Sequence, residues 1–315
     1  MHLRELFALA SPVRVRSIVA VLLAGMVLLS ACGSVGGETA ATSDGSADTG
    51  ATAGNPLGTP IDLEQQELAD LPSQGPYQAS FQTLCGYSHS LQDDPIVSPG
   101  VPGVSHLHDF FGNVDVDANT DYEDLLTTDT TCAIDQDKAS YWTPAMFIDG
   151  SPIEPLGSLA YYRVADGVSL ADVEAFPPGL MMVSGDQFAT EAQDPRGVGW
   201  SCGNSPNITA EPGECPLGSS IRMRLVFPDC WNGADIRSID NSHVARSDGD
   251  GCPDSHPVVM PALEFSVSYP PIPPGSEVRL ASGSVLTAHG DFWNGWNQDR
   301  LVNEVTRCLR RNAYC

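Results

Sequence analysis

The sequence predicts a mainly β protein: a single loop-rich, disulfide-stapled, sandwich-like domain with a short C-terminal helix. Three observations carry this. Short apolar or alternating runs recur between turn residues, and 30 Gly and 25 Pro in 315 residues leave room for few long helices. Hydrophobic residues make up 42%, enough for a core and too many for wholesale disorder. The cysteines number nine, and setting the first apart leaves an even eight.

The first cysteine is set apart by its context. Arg4, Arg14 and Arg16 form a basic segment, and Ile18 to Leu29 is an apolar run too short for a membrane span with soluble flanks. Leu29-Ser30-Ala31-Cys32 follows, a small-residue site ending in Cys. Residues 1–31 therefore read as a lipoprotein signal peptide and Cys32 as the lipidated N-terminus, each buried methylene contributing ~0.8 kcal/mol to membrane attachment. The expected address is the extracellular face of a bacterial cell membrane.

Residues 32–76 read as the lipidated Cys followed by a flexible spacer. Gly33 to Pro60 is Gly, Ser, Thr and Ala with scattered acids, without Lys, Arg or aromatics. Ile61 to Leu71 is a candidate short helix, opened by Pro60 and stopped by Pro72. Residues 77–315 form the domain. Its expected strands are Tyr141 to Ile148, Leu159 to Val164, Leu180 to Val183, Ser220 to Phe227, Val258 to Tyr269 and Val278 to Leu280. Arg222 and Arg224 alternate with Ile221, Met223 and Leu225, the two-residue period of a half-buried strand. Asp299 to Leu309 reads as a helix with Leu301, Val305 and Cys308 or Leu309 on one face.

Export implies an oxidising compartment, so eight Cys imply four disulfides. Nearest neighbours give the expected pairs Cys85–Cys132, Cys202–Cys215, Cys230–Cys252 and Cys308–Cys315. No CxxC occurs, which removes zinc-ribbon and thioredoxin readings. The formal charge of −25, with Lys138 the sole lysine, argues against nucleic acid, whose phosphates need cations. A monomer is expected.

Histidine is the most informative residue type. His106 and His108, two apart, would converge on one face of a strand, leaving Leu107 opposite. Such a pair suits a divalent metal ion, with His289 or His243 as third ligand. Asp109 or Asp291 could add a ligand or fix an imidazole tautomer. The plain alternative is structural: imidazoles hydrogen-bonded to loop carbonyls. His89, with Asp94 nearby, and His289, with Asp291 two residues on, offer acid–base chemistry without metal. Asp93 and Asp94 also read as a turn cap before Pro95. Trp142, Trp293 and Trp296 lie among polar and Gly residues, the setting for stacking on sugar rings, although core packing explains most Trp. Asp115 to Glu123 alternates oxygen ligands, but Thr120 and Leu126 stand where a calcium loop needs Gly and Glu, so a solvated acidic loop is expected. There is no GxSxG, HExxH, P-loop or GxGxxG.

At these residues the chain resembles a known family. Ser88-His89-Ser90, Asp94 to Val97, Ser105 to Asn113 (SHLHDFFGN), Tyr141 to Ala145, Pro177 to Leu180, Phe227 to Trp231, Cys252 to Val258 and His289 to Trp296 (HGDFWNGW) follow in order. Together they resemble the secreted family known as domain of unknown function nineteen-ninety-six, of fungi and actinobacteria, over roughly residues 85 to 300. The resemblance implies export and a shared fold, and it groups His89, Asp94, His106, His108, Asp109, His289 and Asp291 as family motif positions. His243, in Asn241-Ser242-His243, resembles a further Ser-His element. It implies no activity.

The expectation is a surface-anchored lipoprotein acting on polysaccharide or cell-wall glycan through a His/Asp site, as a hydrolase or lyase. The rivals are a non-catalytic carbohydrate-binding module and a structural lipoprotein.

Overall fold

The computed structural model describes residues 79–315. The expectations for Cys32, the signal peptide, the spacer and the helix at 61–71 lie outside the described residues. In chain order the first strands are β1 (Ser80–Cys85), β2 (Tyr87–Leu91), β3 (His108–Gly112), β4 (Ser140–Pro144), β5 (Met146–Ile148), β6 (Ser151–Ile153), β7 (Gly157–Arg163) and β8 (Met181–Gly185). There follow β9 (Val198–Cys202), β10 (Ile221–Val226), β11 (Cys230–Trp231), β12 (Val244–Ala245), β13 (Val258–Val259), β14 (Ala262–Tyr269), β15 (Val278–Leu280) and β16 (His289–Trp293). Two short helices, α1 (Tyr122–Thr127) and α2 (Gln298–Glu304), complete the set. None of the described helices is long and apolar enough to cross a membrane.

Two five-stranded antiparallel sheets form the sandwich, one ordered β1-β7-β14-β10-β9 and the other β2-β3-β4-β16-β8. The first follows from alternation: Ile221, Met223 and Leu225 are buried while Arg222 and Arg224 lie on the other face. Between the sheets Tyr141 stacks on Phe265 at 4.9 Å, and Phe292 contacts both Tyr141 and Phe227. A polar chain crosses this core: Trp296 Nε1 donates to Tyr162, the Tyr162 and Tyr141 hydroxyls meet, and Tyr141 donates to Asp137. Burial pushes the Asp137 carboxyl up to about 7.

In the second sheet β3, β4 and β16 are buried along their whole length. Their outward residues Phe110, Trp142 and Trp293 form a separate small core with Ile96, Val116 and Leu125 from the overlying loops. Strands covered on both faces lose the polar–apolar alternation. That is why β3 and β16 carry no strand signature in the sequence.

Other boundaries moved for identifiable reasons. The run expected over Tyr141 to Ile148 breaks at Ala145, whose N–H turns to the Leu107 carbonyl, giving β4 and β5 in different sheets. Val258 to Tyr269 breaks at Pro261, which has no N–H for a ladder. The acidic segment is not all loop: Asp121 and Asp124 form a reciprocal capping box that starts α1. Near the C-terminus, α2 continues into a π turn over Val305–Leu309, burying Leu301, Val305, Cys308 and Leu309. All four disulfides join the expected nearest neighbours.

Candidate functional site

The outer face of the second sheet carries an unusual polar cluster beside its small core. Alternation along β3 and β16 puts His108, His289 and Asp291 on this face. His106 reaches it from the loop before β3. That loop is held on either side by Ser105 N–H donating to the Gln92 carbonyl and Ala145 N–H donating to the Leu107 carbonyl. The pair thus converges, with ring centroids 4.2 Å apart, although only His108 is on a strand. Asp94 comes from the covering loop, its Oδ1 accepting from Ile96 and Val97 N–H, the expected cap before Pro95.

One potential ligand atom from each of His106, His108 and His289 lies within 4.8 Å of the others, and so does one from each of Asp94, His108 and Asp291. The two triads share His108. The His108 and His289 tautomers follow from their partners. His108 Nδ1 is 2.9 Å from the Asp93 carbonyl and His289 Nδ1 is 2.8 Å from the Thr287 carbonyl. A carbonyl only accepts, so each Nδ1 carries the proton and each Nε2 presents a lone pair. His108 Nε2 and both Asp291 oxygens are buried without any hydrogen-bond partner. His106 Nε2 is 3.2 Å from His289 Nε2. Two nitrogens each ~2.1 Å from one tetrahedral ion lie roughly 3.4 Å apart, so the spacing suits a shared cation.

Electrostatics point the same way. Burial, then the neighbouring His106 and His289, holds His108 far below the ordinary histidine range. Burial lowers His106 and pushes His289 down to about 4. The rings are therefore neutral, as ligation requires. Asp291 is driven well above the carboxylate range by burial and by Asp94. Asp94 is raised by burial, against the two backbone N–H groups and Arg237. Two buried carboxyls, of which Asp94 alone feels the charge of Arg237, and three neutral imidazoles are a donor set that could hold a divalent ion.

His106 is half-buried and gives the cluster its contact with solvent. Arg237, missed from sequence because its loop has no periodicity, is placed by β8: Ile236 accepts from Met181 N–H, and the Asn241 amide brackets Val183. Asp93, read only as a cap, also organises the roof. Its carboxylate accepts from Gly103 and Ala118 N–H, joining the two covering loops.

The remaining candidates do not join. Asp109 points to the opposite face of β3, accepts from Ser90 at 2.6 Å, and is pushed up to about 6 by burial. It neither ligates nor orients His106 or His108. His89 stacks on Phe110 and spends its nitrogens on Ser88 and the Val116 carbonyl, fastening a loop. His243 likewise bonds Ser238 and the Met181 carbonyl. Trp142, Trp293 and Trp296 are buried, the first two in the small core and the third on Tyr162, so none offers an open face for a sugar.

Fold and cluster together define a class: a four-disulfide antiparallel sandwich with histidines and aspartates gathered under the loops of one outer face. The chain belongs to the family described as Domain of unknown function (DUF1996), whose model matches residues 94–296. The matched region contains all five clustered residues and excludes His89. Searches of curated proteins and of solved structures gave no match.

Proposed function

We propose that this protein is an exported lipoprotein, anchored through Cys32 at the outer face of the cell membrane, whose domain holds a divalent metal ion and acts on extracellular glycan. His106, His108 and His289 are the nitrogen ligands, and Asp291 and Asp94 supply the neighbouring negative charge. One observation carries the reading: the buried, unpartnered His108 Nε2 belongs both to a triad with His106 and His289 and to a triad with Asp94 and Asp291, whose carboxyl is likewise unpartnered. Nitrogen and carboxylate donors suit zinc, manganese or iron. Bound there, the metal supplies Lewis acidity toward a substrate oxygen. The protein's own groups do the rest. The Asp93 and Thr287 carbonyls fix two tautomers, Asp94 exchanges a proton with the reacting group, and the Arg237 charge acts on Asp94.

A metal-free reading rests on Asp94 and Asp291 themselves, a close carboxyl pair in which burial and mutual repulsion hold Asp291 well above the carboxylate range, as an acid partner in glycosidic hydrolysis requires. Elemental analysis of purified protein and a glycan panel separate the two. One equivalent of metal, with turnover lost in His106→Ala, is expected. Turnover without metal selects the carboxyl pair, and neither metal nor product from any glycan removes both. Detergent-phase partition that disappears in Cys32→Ser checks the anchor.

A further inference from the structure

On the opposite side of the sandwich, the outer face of the first sheet bears a cleft of about 660 Å³. Four arginines line it: Arg163, Arg196, Arg222 and Arg224. The described chain contains only eleven arginines and the whole protein carries a formal charge of −25, so this concentration is a local reversal of charge. The two-residue period places Arg222 and Arg224 side by side on β10, and the ladder sets them opposite Ser268 and Ser266 of β14.

Two acids, Asp166 and Glu264, line the cleft beside the four arginines, so the balance of charge in its wall is positive but partly offset. Arg224 donates to Glu264 at 2.7 Å, and Arg163 approaches the same carboxylate at 3.9 Å, so one acid serves two cations. Arg196 pairs with Asp194 at 2.6 Å but its side chain stays 90% exposed. Arg222 is bonded to the neutral Asn204 amide, and its Nε is buried with no partner. Burial also weakens the hold of Arg222 on its proton. Arg222 is half-buried in the cleft wall, and a guanidinium held by a neutral amide rather than a carboxylate keeps its charge for an anion in the cleft.

The rest of the lining narrows the ligand. Ser201, Ser205 and Ser266 offer hydroxyls, while Pro206 and Ile208 offer an apolar wall. That wall is preformed. The loop carrying Ile208 crosses β9 at Gly199, where any Cβ would collide with Ile208, and the Cys202–Cys215 disulfide closes the loop. Hydroxyls, an apolar wall and moderate positive charge match a sugar ring that carries one carboxylate. A densely phosphorylated chain has no ring face for this wall.

We infer that this cleft binds a uronic-acid-containing polysaccharide, holding the domain on an anionic glycan independently of the histidine cluster. The test titrates the purified protein with an oligogalacturonate, a neutral cello-oligosaccharide of equal length and a glycerol-phosphate oligomer. Binding of the oligogalacturonate alone is expected, weakening with salt. Arg222→Gln and Arg196→Glu should each reduce affinity about tenfold or more. Arg222→Lys should lose less than Arg222→Gln, and His106→Ala should change nothing. Arg196 is exposed enough for its replacement to leave the fold intact, which thermal melting verifies. Equal binding of the neutral oligomer, preference for the glycerol phosphate, or binding indifferent to both arginine changes would overturn the inference. So would loss in His106→Ala, which would move the glycan to the other face.

Discussion

His106 Nε2 lies 3.2 Å from His289 Nε2, although 183 residues separate them in sequence. Neither side chain alone signals a site. Their approach, over a buried His108 whose Nε2 has no partner, is the relationship on which the proposed metal site rests.

Ligation would couple to stability. A metal that binds only the folded state at 1,000 times its dissociation constant stabilises by about 4 kcal/mol. Adding zinc or manganese to chelator-treated protein should therefore raise Tm by several degrees, and His106→Ala should remove most of that rise. Equal shifts in wild type and variant, read by thermal melting, would place the ion elsewhere.

Asp137 predicts a pH effect in the opposite core. Burial raises its folded value to about 7, from the ordinary carboxylate value of 3.8. The folded state therefore holds a proton that the unfolded chain has released, and this contribution is full below pH 3.8 and lost as pH rises through 7. The stability of wild type relative to Asp137→Asn should fall by up to about 4 kcal/mol across that window. Denaturant titrations at several pH values measure it, and a flat difference would contradict the assignment.

The disulfides should contribute unequally. Cys85–Cys132 spans 47 residues and Cys308–Cys315 only 7. Chain entropy alone makes the longer crosslink worth roughly 1.7 kcal/mol more. Comparing Cys85→Ala/Cys132→Ala with Cys308→Ala/Cys315→Ala by urea unfolding should recover this order.

Gly290, between the two site residues of β16, faces the other way, into the sandwich. A Cβ there would collide with Leu225 of the facing sheet and lie 3.3 Å from Thr143 Cγ2 and the Trp142 carbonyl. Gly290→Ala should destabilise by about 1–3 kcal/mol through overpacking. It should also disturb His289 and Asp291 through the strand, lowering metal content measured in the same preparation.

Much of the architecture was legible from local pattern. Alternation in Ile221 to Val226 marks a strand with one wet face, and Leu301, Val305 and Cys308 mark one face of a helical segment. Cysteine parity and proximity yielded all four disulfides. The histidine and aspartate motifs supplied the members of the cluster, because buried polar residues in Gly-rich segments are uncommon enough to stand out.

What the sequence by itself determined, then, is the set of short strands with a wet face, their crosslinks, and a roster of chemically capable side chains. Tertiary structure alone decided which of them meet. It put Asp109 behind the sheet and His108 in front, buried Trp142 and Trp293 under two loops and Trp296 in the main core, brought Arg237 in along the β8 edge, and collected four arginines on the far face. The reason is physical: a two-residue period fixes which side chains share a face within one strand. Which strands adjoin, and what covers them, depends on contacts between segments scores of residues apart, and these leave no local periodicity to read.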